Sequence, residues 1–349
     1  MLFHAGALIR LNEAGLLKDL DCVSSVSGGS IAAGALAVAW KDLAWTGDHA
    51  TNLVDLVVKP LSSLAGKRID ITTWIIGTIL PGQTPATRFA DQLDKHLYHG
   101  TTLDQLPKKP LFVFNATNLA SCVLWVFSHE EMGDYRVGKI KNPAGVRVAR
   151  AIAASSAFPP AYAPLRLEFA DGVIAKPSGR DALDDDAFRR SVPLGDGGIY
   201  DNLGMEFAWK RYGTVLVSDG GGETAANSKP ALDPPRQIVR VMQIIDRQVR
   251  SLRKRTLIAG FKSKPPVRLG TFWGIRTAIA DYELDDVLPC PVPATLRLAE
   301  EPTRLWHMPI ERQRRLMNWG YAVCDAALRK HVLRDGRKKG AFPFPGGIG

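Results

Sequence analysis

The segment Cys22-Val23-Ser24-Ser25-Val26-Ser27-Gly28-Gly29-Ser30 decides how the rest of the chain reads. A short apolar and small-residue stretch runs into a Ser-Gly-Gly turn, and residues 30–40 beyond it are Ala-rich and apolar on most sides. A strand over 22–26, a tight turn and a buried helix over 30–40 form the setting in which a serine sits at the tip of a strained elbow. Such an elbow needs small residues two positions either side of the serine, so that strand and helix backbones can approach. Here these are Ser25, in place of the more usual glycine, and Gly29. The turn also puts Ser27 at a helix N-terminus. Free N–H groups there, Gly28 first among them, can hold negative charge. A phosphate-binding turn or a plain helix cap fits the same residues.

Upstream, residues 5–17 read as a helix closing at Gly15, followed by a turn at Asp19-Leu20-Asp21. Downstream, 41–100 is mostly helical, broken at Pro60, Pro81-Gly82 and Pro85. Residues 111–116 and 122–127 read as strands joined by a polar turn, and 146–154 as a helix. Residues 165–170 and 173–175 flank Asp171-Gly172, which predicts a hairpin. The charged stretch 176–190 is expected to be a surface loop, with Asp184-Asp185-Asp186 solvated rather than holding a metal. A buried strand at 214–218 precedes the loop that opens with Gly220-Gly221-Gly222. A long helix then covers 236–260, where Ile238, Val241, Ile245, Val249 and Leu252 recur every three or four residues. That stripe is expected to pack on the body of the protein, because soluble chains rarely expose one so long. Helices alternating with strands predict a layered α/β fold.

With 349 residues, 46% hydrophobic and 23% charged, the chain has material for a large core, which excludes disorder as its main state. Cys22, Cys122, Cys290 and Cys324 are scattered with no C-x-x-C pair, and are expected to be reduced, buried hydrophobes. The start lacks a basic segment ahead of an apolar one, and the apolar runs 29–40 and 71–80 fall short of the roughly 20 residues a membrane span needs. The expectation is a cytoplasmic protein that reaches membranes only peripherally. The formal net charge of +10 suits anionic partners, whether acidic headgroups or nucleic acid; nucleic acid rests on charge alone.

A serine nucleophile needs a base. None of the seven histidines sits in a glycine-rich strand-end loop, and His129, just after a strand, is the least poor of them. Asp196 is the better candidate. It lies in Gly195-Asp196-Gly197-Gly198, where glycines let a carboxylate approach another loop and where desolvation can raise its pKa. Asp201 and Asp219, also near glycines, compete with it.

Four blocks in order carry a resemblance: residues 4–34 with the elbow, Phe114-Asn115-Ala116-Thr117-Asn118-Leu119, Ala154-Ser155-Ser156-Ala157-Phe158-Pro159-Pro160, and Asp196-Gly197-Gly198 with Tyr200-Asp201-Asn202-Leu203-Gly204. Together they resemble the bacterial-type patatin-like phospholipases. The resemblance implies a three-layer α/β/α sandwich over 1–222, with a helical extension over 223–335 packed on it and a flexible tail at 336–349. It implies a Ser–Asp dyad, Ser27 as nucleophile and Asp196 as proton acceptor, with Gly28 N–H in the oxyanion hole. It further implies hydrolysis of phospholipid or acylglycerol esters through an acyl-serine, with no metal or organic cofactor. The family's G-G-G-x-R-G loop would fall before Met1 and is expected to be absent, which raises a rival expectation: a catalytically silent lipid-binding protein on the same fold. The expected partner is lipid at a membrane or micelle surface, with Arg253, Lys254 and Arg255 meeting anionic headgroups.

Overall fold

The structure, a computed structural model, describes residues 1–69, 84–158, 164–222, 226–231, 233–302, 307–333 and 339–349. The apolar run at 71–80, the Pro81-Gly82 break and Pro159-Pro160 lie outside these residues.

The chain opens with helix α1 (Leu2–Glu13), stopped just before Gly15, whose φ of +73° no helix can continue. Strand β1 (Cys22–Ser25) leads into helix α2 (Ser27–Ala39), and β2 (Trp45–Thr46) pairs with β3 (His49–Ala50) in a small ribbon. Helices α3 (Lys59–Ala65) and α4 (Pro85–Leu93) precede four strands: β4 (Leu111–Asn118), β5 (Val123–Phe127), β6 (Glu131–Asp134) and β7 (Gly138–Lys141). Helix α5 (Val148–Ser155), strand β8 (Leu165–Glu168), helix α6 (Ala187–Arg190), strand β9 (Ser191–Asp196) and the short helices α7 (Gly198–Asp201) and α8 (Met205–Trp209) follow. The remainder is β10 (Thr214–Asp219), α9 (Pro234–Lys262), β11 (Leu269–Gly274), α10 (Val292–Ala299) and α11 (Ile310–His331).

The fold is mixed α/β around a central sheet in the order β7-β6-β5-β4-β9-β8, antiparallel throughout, with β1 added parallel to β4. β4 is the hub. Its first half pairs with β1, placing Ser25 opposite Phe114, and its second half pairs with β9, placing Asp196 opposite Ala116. The ends of β1 and β9 therefore emerge two residues apart along one strand. β4 is buried on both faces: Phe112, Phe114 and Ala116 join the main core, while Val113 packs with Val126 and with Phe207 of α8.

Several expectations fail here for physical reasons. Asp171-Gly172 makes a turn but no hairpin. β8 pairs with β9 instead, and Ala175 bridges to Lys139. In the 176–190 stretch Asp184, Asp185 and Asp186 are exposed as expected, but Arg189 is buried and donates to the carbonyls of Leu183 and Asp184 and to the Asp186 carboxylate. Cys290 and Cys324 are buried, but Cys22 is half-buried and Cys122 exposed.

The boundary drawn at 222 is not a boundary in the core, which residues on both sides share. Trp319, Val323 and Leu328 of α11 share one core with Phe3 and Leu36. α1 and α11 touch backbone to backbone at Gly6 and Gly320: a methyl at Gly6 would lie 1.9 Å from Met317 O, and one at Gly320 1.9 Å from Phe3 O. The buried Arg10–Asp325 pair, 2.7 Å apart, ties the same two helices. Nor is the C-terminus a free tail over residues 339–349. Asn318 Nδ2 donates to Phe344 O and Gly347 O, Phe344 N–H donates back to Asn318 Oδ1, and Ile348 is buried.

The stripe of α9 is the largest correction. Leu257 and Gly260 near its C-terminal end are buried, but Ile238, Val241, Ile245 and Leu252 stand in solvent instead of packing on the body. The last third of the helix packs on the neighbouring strands, with Leu257 in one cluster with Val215, Val217 and Phe272. No helix among the described residues is long and apolar enough to cross a membrane.

Candidate active site

β1 ends at Ser25, Val26 is extended (φ −137°, ψ 148°), and Ser27 opens α2 with φ +49°. A left-handed serine is a strained backbone that persists only when its surroundings over-determine it. They do so here. Ser27 N–H donates to Ser155 Oγ at 3.0 Å. The Ser30 and Ser155 hydroxyls lie 2.9 Å apart, and Ser30 Oγ donates to Ser25 Oγ at 3.0 Å. Asn115 Nδ2 donates to Ser24 Oγ and to Ser25 O, each at 2.9 Å. Gly29 N–H is taken by Val26 O at 2.9 Å. Gly28 N–H has no partner among the described residues, as the first turn of a helix allows.

Asp196 ends β9 and is held as firmly. Its N–H donates to Ala157 O (2.9 Å), its O accepts from Thr117 Oγ1 (2.8 Å), and its Oδ1 accepts from Gly198 N–H (2.7 Å). Gly197 must be glycine, since a methyl there would lie 2.1 Å from Asn115 O. The side chain is 4% exposed. Burial pushes its pKa up to about 6, while hydrogen bonds from the Ser27 hydroxyl and Gly198 N–H pull the other way. The two glycine-bearing turns open on the same cavity, and Ser27 is near enough to Asp196 to act on its pKa.

Both residues line a cavity of about 2050 Å³, together with Gly28, Gly29, His4, Ser156, Asn202, Asp219, Asp246 and Arg250. The open edges of β1 and β10 run along it: among the described residues β1 pairs only with β4, and β10 only with β11.

Two of the three rival bases, His129 and Asp201, lie off the cavity. His129 lies in the turn between β5 and β6 and does not line the cavity. Asp201 is fully buried, caps Leu203 N–H and Glu206 N–H, and faces Arg253 at 3.5 Å. Asp219 lines the cavity on the β10 side, burial raises its pKa as well, and it accepts from Gly221 N–H as Asp196 does from Gly198 N–H.

Sequence reasoning missed His4. Its Nδ1 lies 2.8 Å from Ser218 Oγ, and its ring fills the space between Gly29 and Gly220. Burial depresses its pKa to about 3, so it is a neutral imidazole held by Ser218. No local signal marks it, because its partner is 214 residues away. Ser155 and Asn115 were visible only as members of matching blocks, whereas the structure gives each a holding task at the elbow. Arg253, expected to meet lipid, is instead spent inside: it donates to Tyr200 O at 2.9 Å and pairs with Asp201 and Glu206. Lys254 sits over the Phe272 ring, while Arg255 remains exposed.

A family model described as Patatin-like phospholipase matches residues 1–209, more than half of the chain. No curated protein matches it.

Proposed function

The chain belongs to the patatin-like phospholipase family, and from that premise we propose that it is a lipid acyl hydrolase acting through Ser27 and Asp196. One observation supports the proposal: a serine forced to φ +49° at the start of a helix lines the same cavity as a buried carboxyl whose pKa is about 6. Near neutral pH that carboxyl is ionised and basic enough to take the hydroxyl proton. Ser27 Oγ attacks the ester carbonyl and forms a tetrahedral intermediate, whose oxyanion is met by Gly28 N–H and the positive end of α2. Asp196 returns the proton to the leaving alcohol, which departs and leaves an acyl-serine. Water, deprotonated by Asp196, then releases the fatty acid and regenerates Ser27. The cavity exceeds the roughly 300–1,000 Å³ of small-ligand pockets and has room for an acyl chain with its glycerol backbone. Helices on both faces of β4 support reading the fold as a three-layer α/β/α sandwich.

A second reading is a lipid-binding protein without catalysis on this fold. It is favoured by the elbow offering, among the described residues, one open backbone donor, Gly28 N–H. The two separate in one experiment: hydrolysis of a short-chain nitrophenyl ester and labelling by a fluorophosphonate probe, for wild type and Ser27→Ala. Hydrolysis and labelling that both vanish in the variant, with the label mapped to Ser27, support the hydrolase. Activity surviving in Ser27→Ala overturns the assignment of the nucleophile. An inert wild type that still binds lipid establishes the silent reading.

A further inference from the structure

We propose that the N-terminal half of α9 is an interfacial helix, laying its apolar face into an anionic lipid surface beside the mouth of the catalytic cavity. The choice of lipid as occupant rests on the hydrolase reading above. Ile238, Val241, Met242 and Ile245 occupy one face at the i, i+3, i+4, i+7 spacing, and each is 53–62% exposed. Leu252 continues the same face, and Val239 and Ile244 widen it, all of them exposed. A contiguous apolar surface of this kind on an otherwise well-packed protein marks a contact site. The helix is fixed at its other end, where Leu257 is buried and Gly260 packs against the Trp209 ring.

Charge decides between occupants. The N-terminal half of α9 carries Arg236, Arg240 and Arg247 against one acid, Asp246, and Arg255 further along is exposed as well. A second copy of the chain would bring the same excess of positive charge to the contact. An anionic bilayer brings the opposite sign, and long arginine side chains can lie along the helix and reach headgroups while the apolar face enters the acyl boundary. Position supplies the third argument. Asp246, next to Ile245, and Arg250, a turn further on, line the cavity that Ser27 and Asp196 also line. Immersing the stripe therefore brings the cavity mouth to the lipid, so that an ester can enter without crossing water. Since no described helix can span a bilayer, the mode is lying on the surface.

The test uses the full chain and the double variant Ile238→Asp/Met242→Asp, both positions being solvent-exposed so that the fold is spared. Co-sedimentation is measured with vesicles of phosphatidylglycerol and phosphatidylcholine, and with phosphatidylcholine alone. Short-chain nitrophenyl ester hydrolysis is followed in parallel. The expected result is binding of wild type to the anionic vesicles, at least roughly tenfold weaker in the variant, with soluble-ester hydrolysis retained. Equal binding of both proteins overturns the proposal, as does wild type that ignores anionic vesicles. A wild-type dimer that becomes monomeric in the variant, without vesicle binding, overturns it in favour of self-association. Vesicle binding lost in the variant while neither protein hydrolyses the ester leaves the docking surface standing and refutes the hydrolase reading instead.

Discussion

Asp196→Asn should make the protein more stable near neutral pH while abolishing hydrolysis. The fold raises the Asp196 pKa from 3.8 to about 6, chiefly by burying it, with Asp246 adding to the push. At about 1.4 kcal/mol per unit, a shift of about 2 units corresponds to about 3 kcal/mol. The sign follows from linkage. A folded pKa above the unfolded one favours the protonated carboxyl. That contribution is fully present below about pH 4 and is lost as pH rises through about 6, so at about pH 8 the ionised Asp196 burdens the fold by about 3 kcal/mol. Asparagine has the same shape without the charge, and its Oδ1 can still accept from Gly198 N–H, which now bonds Asp196 Oδ1 at 2.7 Å. Urea unfolding at about pH 8 should therefore show the variant more stable by up to about 3 kcal/mol. In thermal unfolding this is a rise of about 3–6 °C for a chain of this size. The gain should shrink towards zero by about pH 4. A variant no more stable at about pH 8 would refute the burial argument. A gain that persists unchanged at about pH 4 would show that packing, not ionisation, was relieved.

The same ionisation predicts that kcat/KM for a short-chain ester falls about tenfold per pH unit below about 6 and levels off above it. A profile governed by a group titrating near 8 would assign the base elsewhere. Ser155→Ala removes the acceptor for Ser27 N–H and breaks the Ser25–Ser30–Ser155 hydroxyl chain. It should lower stability in urea melts by about 1–3 kcal/mol and reduce kcat more than it raises KM; unchanged kcat would mean the strained turn holds itself. Gly197→Ala puts a methyl 2.1 Å from Asn115 O, so β9 must shift against β4. The expected outcome is a loss of about 1–3 kcal/mol and of most hydrolysis, and native-like melting with full activity would show that the contact yields freely.

What the sequence disclosed about this site and what it withheld divide along the range of the interactions. Elbow, small neighbours and helix start occupy nine consecutive residues, so their chemistry is written locally, down to the left-handed Ser27. Asp196 in its glycine turn is likewise local. The hub role of β4 is not: a strand pattern names a strand but not its neighbours, and β4 is shared by β1, β5 and β9. For the same reason Asp171-Gly172 correctly marks a turn and wrongly suggests a pairing, since β8 finds β9 twenty-odd residues on. Asn318, which ties down the C-terminal residues, carries no signal at all.

Periodicity has a matching blind spot, and α9 exposes it. The spacing of Ile238, Val241, Ile245 and Leu252 fixes which face of the helix is apolar, and that part of the reading holds. It says nothing about what covers the face. The expectation of packing came from what soluble chains usually do, and it fails where the molecule has a reason to be unusual. A core-facing stripe and a lipid-facing stripe are the same pattern in the sequence. They differ in what the rest of the fold places opposite, and opposite Ile238, Val241 and Ile245 it places solvent. The four matching blocks differ from this stripe in kind. Asn115, Ser155 and Gly197 each hold a backbone at one junction around β4, while Ser27 and Asp196 line the cavity and are the pair proposed to react there. A motif marks both kinds alike and does not say which is which.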